Sequence, residues 1–121
     1  MGASQVAVIR SVLEELYAGF QQDVDLCASF ETCSGDIWIQ IVRDALNMVW
    51  PFDEVEAAKL ESVLASKWPH CRILSIEAGK FMTFEIELIS TGDMAGWIDW
   101  LFTNIFKVSR DYVLNSEIYQ L

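Results

Sequence analysis

The chain has 121 residues, 53% of them hydrophobic and 21% charged, with 18 Asp and Glu against 8 Lys and Arg for a formal net charge of −10. That length suits one packed core across residues 1–121, and the apolar content excludes a disordered acidic tail. No apolar run is long enough to span a bilayer, and the acidic balance argues against nucleic acid or an anionic membrane as partner, since both call for a basic face.

The start, Met1-Gly2-Ala3-Ser4-Gln5-Val6, has neither a basic segment nor an uninterrupted apolar stretch, so it does not read as a secretory signal. Val6 stands where a myristoylation motif wants Ser or Thr. Cys27, Cys33 and Cys71 make an odd count without C-x-x-C spacing, which predicts free thiols in a cytoplasmic protein. The alternative is a Cys27–Cys33 bridge, which the geometry of one strand seldom allows.

Residues 4–20 carry Val6, Ile9, Val12, Leu13, Leu16, Tyr17 and Phe20 at 3.6-residue spacing, predicting a helix with Ser4 as N-cap. The period then changes to two. Val24, Leu26, Ala28 and Phe30 alternate with polar positions, predicting a half-buried strand. Ser34-Gly35 supplies a turn, with glycine free to take positive φ. A second strand follows, with Ile37, Ile39 and Ile41 on one face and Trp38, Gln40 and Val42 on the other. Arg43-Asp44 bends the chain into a third strand, Leu46 to Trp50, stopped by Pro51. Short connections predict an antiparallel meander.

Asp53 and Glu56 have the spacing of a capping box, and acidic residues suit the first turn of a helix. The helix is expected to reach about Lys67, with Val55, Ala58, Leu60, Val63, Leu64 and Trp68 on its buried side and Pro69 ending it. Ile73, Leu74 and Ile76 predict a fourth strand. Ala78-Gly79-Lys80 turns the chain into a fifth, where Met82, Phe84, Ile86 and Leu88 alternate with Thr83, Glu85 and Glu87. Ser90-Thr91-Gly92-Asp93 caps a last helix running through Trp97, Leu101, Ile105 and Tyr112. The expected fold is α+β, in the order α-β-β-β-α-β-β-α, with an antiparallel five-stranded sheet and helices on one face.

Motifs for bond chemistry are missing. The single histidine, His70, adjoins Cys71, and neighbours on a strand point apart, whereas a Cys–His dyad meets across a fold. One His and scattered Cys do not build a tetrahedral metal shell, and no calcium loop or glycine-rich phosphate loop occurs. Asp53, Glu54 and Glu56 are explained as helix-start residues. The expectation is no catalytic residue, no metal and no cofactor.

Apolar surface is in surplus. The second strand is apolar on both faces, which a sheet covered on one side does not ask for. The last helix adds Trp97 and Trp100 to an already wide apolar stripe. Trp38, Val42, Trp97 and Trp100 are therefore the candidate partner-binding or dimer residues, because Trp buries much area at small cost in side-chain entropy. For Trp97 the core is the favoured reading, with the partner contact as its alternative, and Trp100 stands evenly between rim and interface.

The element order, carried by Asp25 to Phe30, Asp36 to Val42, Asp44 to Phe52, Asp53 to Trp68, Phe81 to Leu88 and Ala95 to Tyr112, resembles the type III secretion chaperone-like fold. It looks like the YbjN-type proteins and related cyanobacterial domains. The resemblance rests on topology and aromatic positions, and it offers no short motif from which a site residue transfers. It implies a small acidic homodimer that binds an extended polypeptide against its exposed sheet or apolar grooves. The resulting expectation is a non-enzymatic protein-binding module with a protein or peptide client. The alternative is a small-ligand-binding regulatory domain with a cavity between sheet and helices. A third is an enzyme using carboxylates or Cys71 in a pocket.

Overall fold

A computed structural model describes residues 2–33, 35–43, 45–67, 71–87, 90–108 and 114–120. In chain order the elements are α1 (Gly2–Gln21), β1 (Leu26–Thr32), β2 (Trp38–Val42), β3 (Ala45–Val49), α2 (Glu54–Lys67), β4 (Cys71–Glu77), β5 (Phe81–Ile86), α3 (Thr91–Trp100), a π-helical turn (Leu101–Ile105) and β6 (Leu114–Gln120). The fold is α+β. Its six strands lie in the order β4-β5-β3-β2-β1-β6, every pair antiparallel.

The meander forms as its period-two pattern dictates. Ala28 pairs with Ile41 and Phe30 with Ile39, so the buried positions of β1 and β2 share a face. Leu46 and Met48 continue that face on β3, and Phe84 and Met82 on β5. Gly35 takes φ +77° in the β1–β2 connection, and Gly79 takes φ +78° between β4 and β5. Ser34, Asp44 and Leu88 lie outside the described residues.

All three helices cover this apolar face. α1 buries Ile9, Leu13 and Leu16 and packs on β1, β6 and α3. α3 buries Met94, Ala95, Trp97 and Ile98, and Trp97 meets Phe84 of β5 edge to face at 5.7 Å. α2 lies over β4 and closes one end. One buried cluster draws on all three helices and most strands, with partly buried Cys71 and Ile73 of β4 packed against it. Each large side chain removed from water there contributes about 2 kcal/mol. Among the described residues no helix is long and apolar enough to cross a membrane.

Four expectations are corrected. α1 begins at Gly2, so Ser4 lies inside the helix and is not its N-cap. The buried stripe of α2 is Ala57, Leu60 and Leu64, while Val55 is 63% exposed and Ala58 and Val63 also face solvent. The reason is placement: a helix over a sheet edge meets the core along a narrow line, and neighbouring apolar positions fall outside it. Trp68 lies outside the described residues. The last helix does not continue to Tyr112, itself outside them. It passes into a π-helical turn closed by Phe106 N–H donating to Leu101 O at 3.1 Å, and Lys107 then adopts φ +55°. Lastly, the chain returns as a sixth strand. β6 pairs with β1 along its whole length, from Leu26 opposite Gln120 to Thr32 opposite Leu114.

The expected caps form. Glu56 N–H donates to Asp53 Oδ1 at 2.9 Å, and Asp93 N–H donates to Ser90 Oγ at 3.2 Å.

Candidate functional site

The strand register sorts the helix-free face of the sheet into three rows. The first runs Asn115, Glu31, Trp38, Val49, Phe81, Glu77 and has an apolar centre. The second, Glu117, Ser29, Gln40, Asn47, Thr83, Ser75, is polar throughout, and Thr83 Oγ1 donates to Asn47 Oδ1 at 2.7 Å. The third runs Tyr119, Cys27, Val42, Ala45 and ends in an ion pair between Glu85 and Arg72 at 2.8 Å. Trp38 and Val42 thus sit in two apolar bands separated by a polar stripe, which accounts for the doubly apolar pattern of β2. Both are half-buried. Cys27 is buried on this side, and its thiol donates to Tyr119 Oη at 3.2 Å. The hydrogen bond between Tyr119 and Cys27 first, then desolvation and the proximity of Cys27 and of the Glu117 carboxylate, raises the Tyr119 phenol above its usual pKa.

The structure separates the four candidate residues. Trp38 and Val42 share the helix-free face. Trp97 does not reach any surface: it is fully buried between α3 and the sheet, so it is a core residue and not a contact for a partner. The apolar stripe of the last helix is wide because α3 meets both the sheet, through Phe84 of β5, and α1. Trp100 is half-buried, and the Lys67 ammonium lies 5.4 Å from the centre of its ring.

Sequence reasoning missed the edge of the sheet. β4 pairs only with β5 among the described strands, so one side of its backbone is open. A bulge falls between Ile73 and Ser75, leaving Leu74 52% exposed and Ile76 38% exposed. Beside this edge, Glu61, Leu64, Ala65, Cys71, Arg72 and Ile73 line a hollow of about 330 Å³ between α2 and β4. The available signal was the run Ile73-Leu74-Ser75-Ile76, which breaks strict alternation by one residue.

A second, larger hollow of about 430 Å³ opens between α2 and the π-helical turn. Trp50, Phe52, Leu60, Val63 and Ile105 form its apolar lining, and Glu56, Lys59, Asn104 and Lys107 its polar one. Trp50 is pinned by its indole N–H, which donates to Asp53 O at 3.3 Å. Phe52 meets Trp50 edge to face at 5.0 Å and stacks on Phe106 at 6.1 Å.

No disulfide links Cys27, Cys33 and Cys71. Burial pushes the Cys71 thiol up to about 12, which favours the unreactive protonated form at neutral pH. His70 lies outside the described residues. Among those described, no three His, Cys, Asp or Glu side chains gather closely enough to hold a metal ion.

No family model matches the chain, and neither a curated protein nor a solved structure matches it.

Proposed function

We propose that the chain is a non-enzymatic protein-binding module that acts as a homodimer and holds a polypeptide client on its helix-free sheet face. The observation that carries this reading is the edge of β4, where Leu74 and Ile76 stand exposed beside backbone that no other described strand pairs. Such edges are templates for an added strand.

The edge is also self-complementary. If two copies of β4 pair antiparallel about the Leu74–Ser75 bond, Arg72 falls opposite Glu77 of the other copy, and Ile73 opposite Ile76. The bulge matters here. Arg72 and Glu77 are five positions apart and would otherwise point to opposite faces. With the bulge, Arg72 pairs with Glu85 and Glu77 with Phe81, both on the helix-free face. Opposite charges facing across strands favour that register, and one patch meeting its own copy is the usual form of a dimer. The joined sheets would present the Trp38–Val49–Phe81 bands of both copies on one continuous surface. The secretion chaperone-like resemblance agrees with this arrangement, and β6 adds one strand to the order that it implies.

The test is sedimentation of the purified protein across micromolar concentrations. A dimer is expected. Leu74→Lys, which places a charge on the edge, should give folded monomers. Arg72→Glu should weaken association, and adding Glu77→Arg to it should restore association. A monomer at every concentration, or a dimer indifferent to both edge variants, overturns the reading.

A further inference from the structure

The hollow between α2 and the π-helical turn is used neither by the sheet edge nor by the helix-free face. At about 430 Å³ it falls in the size range of small-molecule sites, which are apolar with a few converging polar groups. We infer that it binds a small amphipathic carboxylate, with the acid group at Lys107 and the apolar body on Trp50, Phe52, Leu60, Val63 and Ile105.

Charge selects the head group. The molecule carries a net −10, yet two of its 8 cations, Lys59 and Lys107, line this one hollow. Lys59 is engaged by Glu56 at 3.2 Å, so those two charges cancel. Lys107 forms no ion pair among the described residues. The polar partner recorded for its ammonium is Asn104 O at 3.5 Å, at the long limit of a hydrogen bond. Among the described residues one cation is therefore left without a counter-charge beside an apolar wall, in a protein rich in carboxylates. That arrangement favours one negative charge on an apolar body. A cation would meet Lys107 unfavourably, and a doubly charged anion would leave a charge unmatched.

Backbone geometry places the group. The π-helical turn adds one residue to the last turn of the helix, a device that recurs at functional sites. Without it, the continuing α-helix would carry residues 104–107 around by a different angle. With it, Asn104 and Ile105 line the hollow, and Lys107 follows in left-handed backbone at φ +55°, a conformation that non-glycine residues seldom adopt. Phe52, which lines the hollow, is held by stacking on Phe106 at 6.1 Å.

The experiment is isothermal titration calorimetry of the whole chain with 4-phenylbutyrate, using 4-phenylbutylamine as the charge-reversed control. The acid is expected to bind and the amine to bind at least about tenfold more weakly, the scale of one charge-assisted hydrogen bond. Lys107→Gln should remove that preference. Val63→Trp, made at a partly exposed position so that folding survives, should fill the hollow and abolish binding of the acid. Circular dichroism and the unfolding midpoint verify that both variants are folded. Equal binding of acid and amine, no binding of the acid, or unchanged binding by Val63→Trp each overturns the inference. Sedimentation of the same samples reports on dimer formation separately, so failure here leaves the edge-pairing result to stand or fall alone.

Discussion

Tyr17 shows how one buried polar atom shapes the response to alkali. Its hydroxyl is buried and has no hydrogen-bond partner among the described residues, while its ring packs on Phe20 at 5.9 Å. Burial raises the phenol from 10.0 to about 12. The folded chain therefore keeps a proton that the unfolded chain gives up above pH 10. The associated stability is fully present below that pH and is lost as the pH climbs towards 12. Cys71 adds the same sign from pH 9 upward, its thiol being raised from 9.0 to about 12. Denaturant unfolding against pH should give a plateau at neutral pH and a decline beginning near pH 9. Tyr17→Phe removes the part of the decline above pH 10. At pH 7 it should leave stability equal or raise it by about 1 kcal/mol, since an unpaired buried hydroxyl costs desolvation with nothing in return. A loss of stability at pH 7 would mean that the hydroxyl has a partner.

At the scale of elements, local chemistry decided where helices begin. Asp53 and Ser90 each accept a backbone N–H three residues on, as their types and positions foretold. Asp53→Ala should cost about 1 kcal/mol, read as a shift of the urea midpoint with an unchanged slope. Lys59 to Glu56, by contrast, is an exposed pair, and breaking it should barely register. Other elements were not legible locally. Leu114, Ser116 and Ile118 alternate with Asn115, Glu117 and Tyr119, but Leu114 and Ile118 are also four apart, which suits a helix equally well. The open edge of β1 resolved the ambiguity by offering a backbone to pair with. The π-helical turn and the bulge of β4 were hidden for a similar reason. Each shifts the pattern by a single residue, and apolar neighbours on both sides disguise the shift.

The whole molecule is a strongly acidic shell around an apolar interior. Among the described residues the ion pairs Arg10–Glu14, Arg43–Asp25, Lys59–Glu56, Arg72–Glu85 and Lys80–Glu77 are exposed and individually weak. With 18 acidic residues against 8 cations, acidic charges outnumber the cations that could pair with them, and the excess repels itself. Salt should therefore stabilise the fold. Raising ionic strength from about 0.01 to about 0.15 M shortens the screening length from roughly 30 to roughly 8 Å. The thermal midpoint should rise, because long-range repulsion is screened more than close pairs are. A falling midpoint would show that the pairs outweigh the repulsion. The same field bears on both proposed sites: it discourages acidic competitors at the sheet face and makes the Lys107 hollow a local exception.

The candidate surfaces divide along the same line. Trp38 and Val42 were readable as surface surplus because a strand apolar on both faces has too few places to hide its side chains. For Trp97 the core was the favoured reading and the structure bears it out, though composition alone did not exclude that a wide helical stripe meets a partner. The exposed edge at Leu74 and Ile76 and the lysine-bearing hollow were invisible, for they depend on which strand ends the sheet and which helix face turns inward. By itself the sequence determined the elements whose signals are local: the period of two in the meander, the caps of α2 and α3, the turns at Gly35 and Gly79. Only the tertiary structure decided the sixth strand, the depth of Trp97 and the line along which α2 meets the core. Those outcomes turn on pairing and packing between residues far apart in the chain, whose energies no local pattern records.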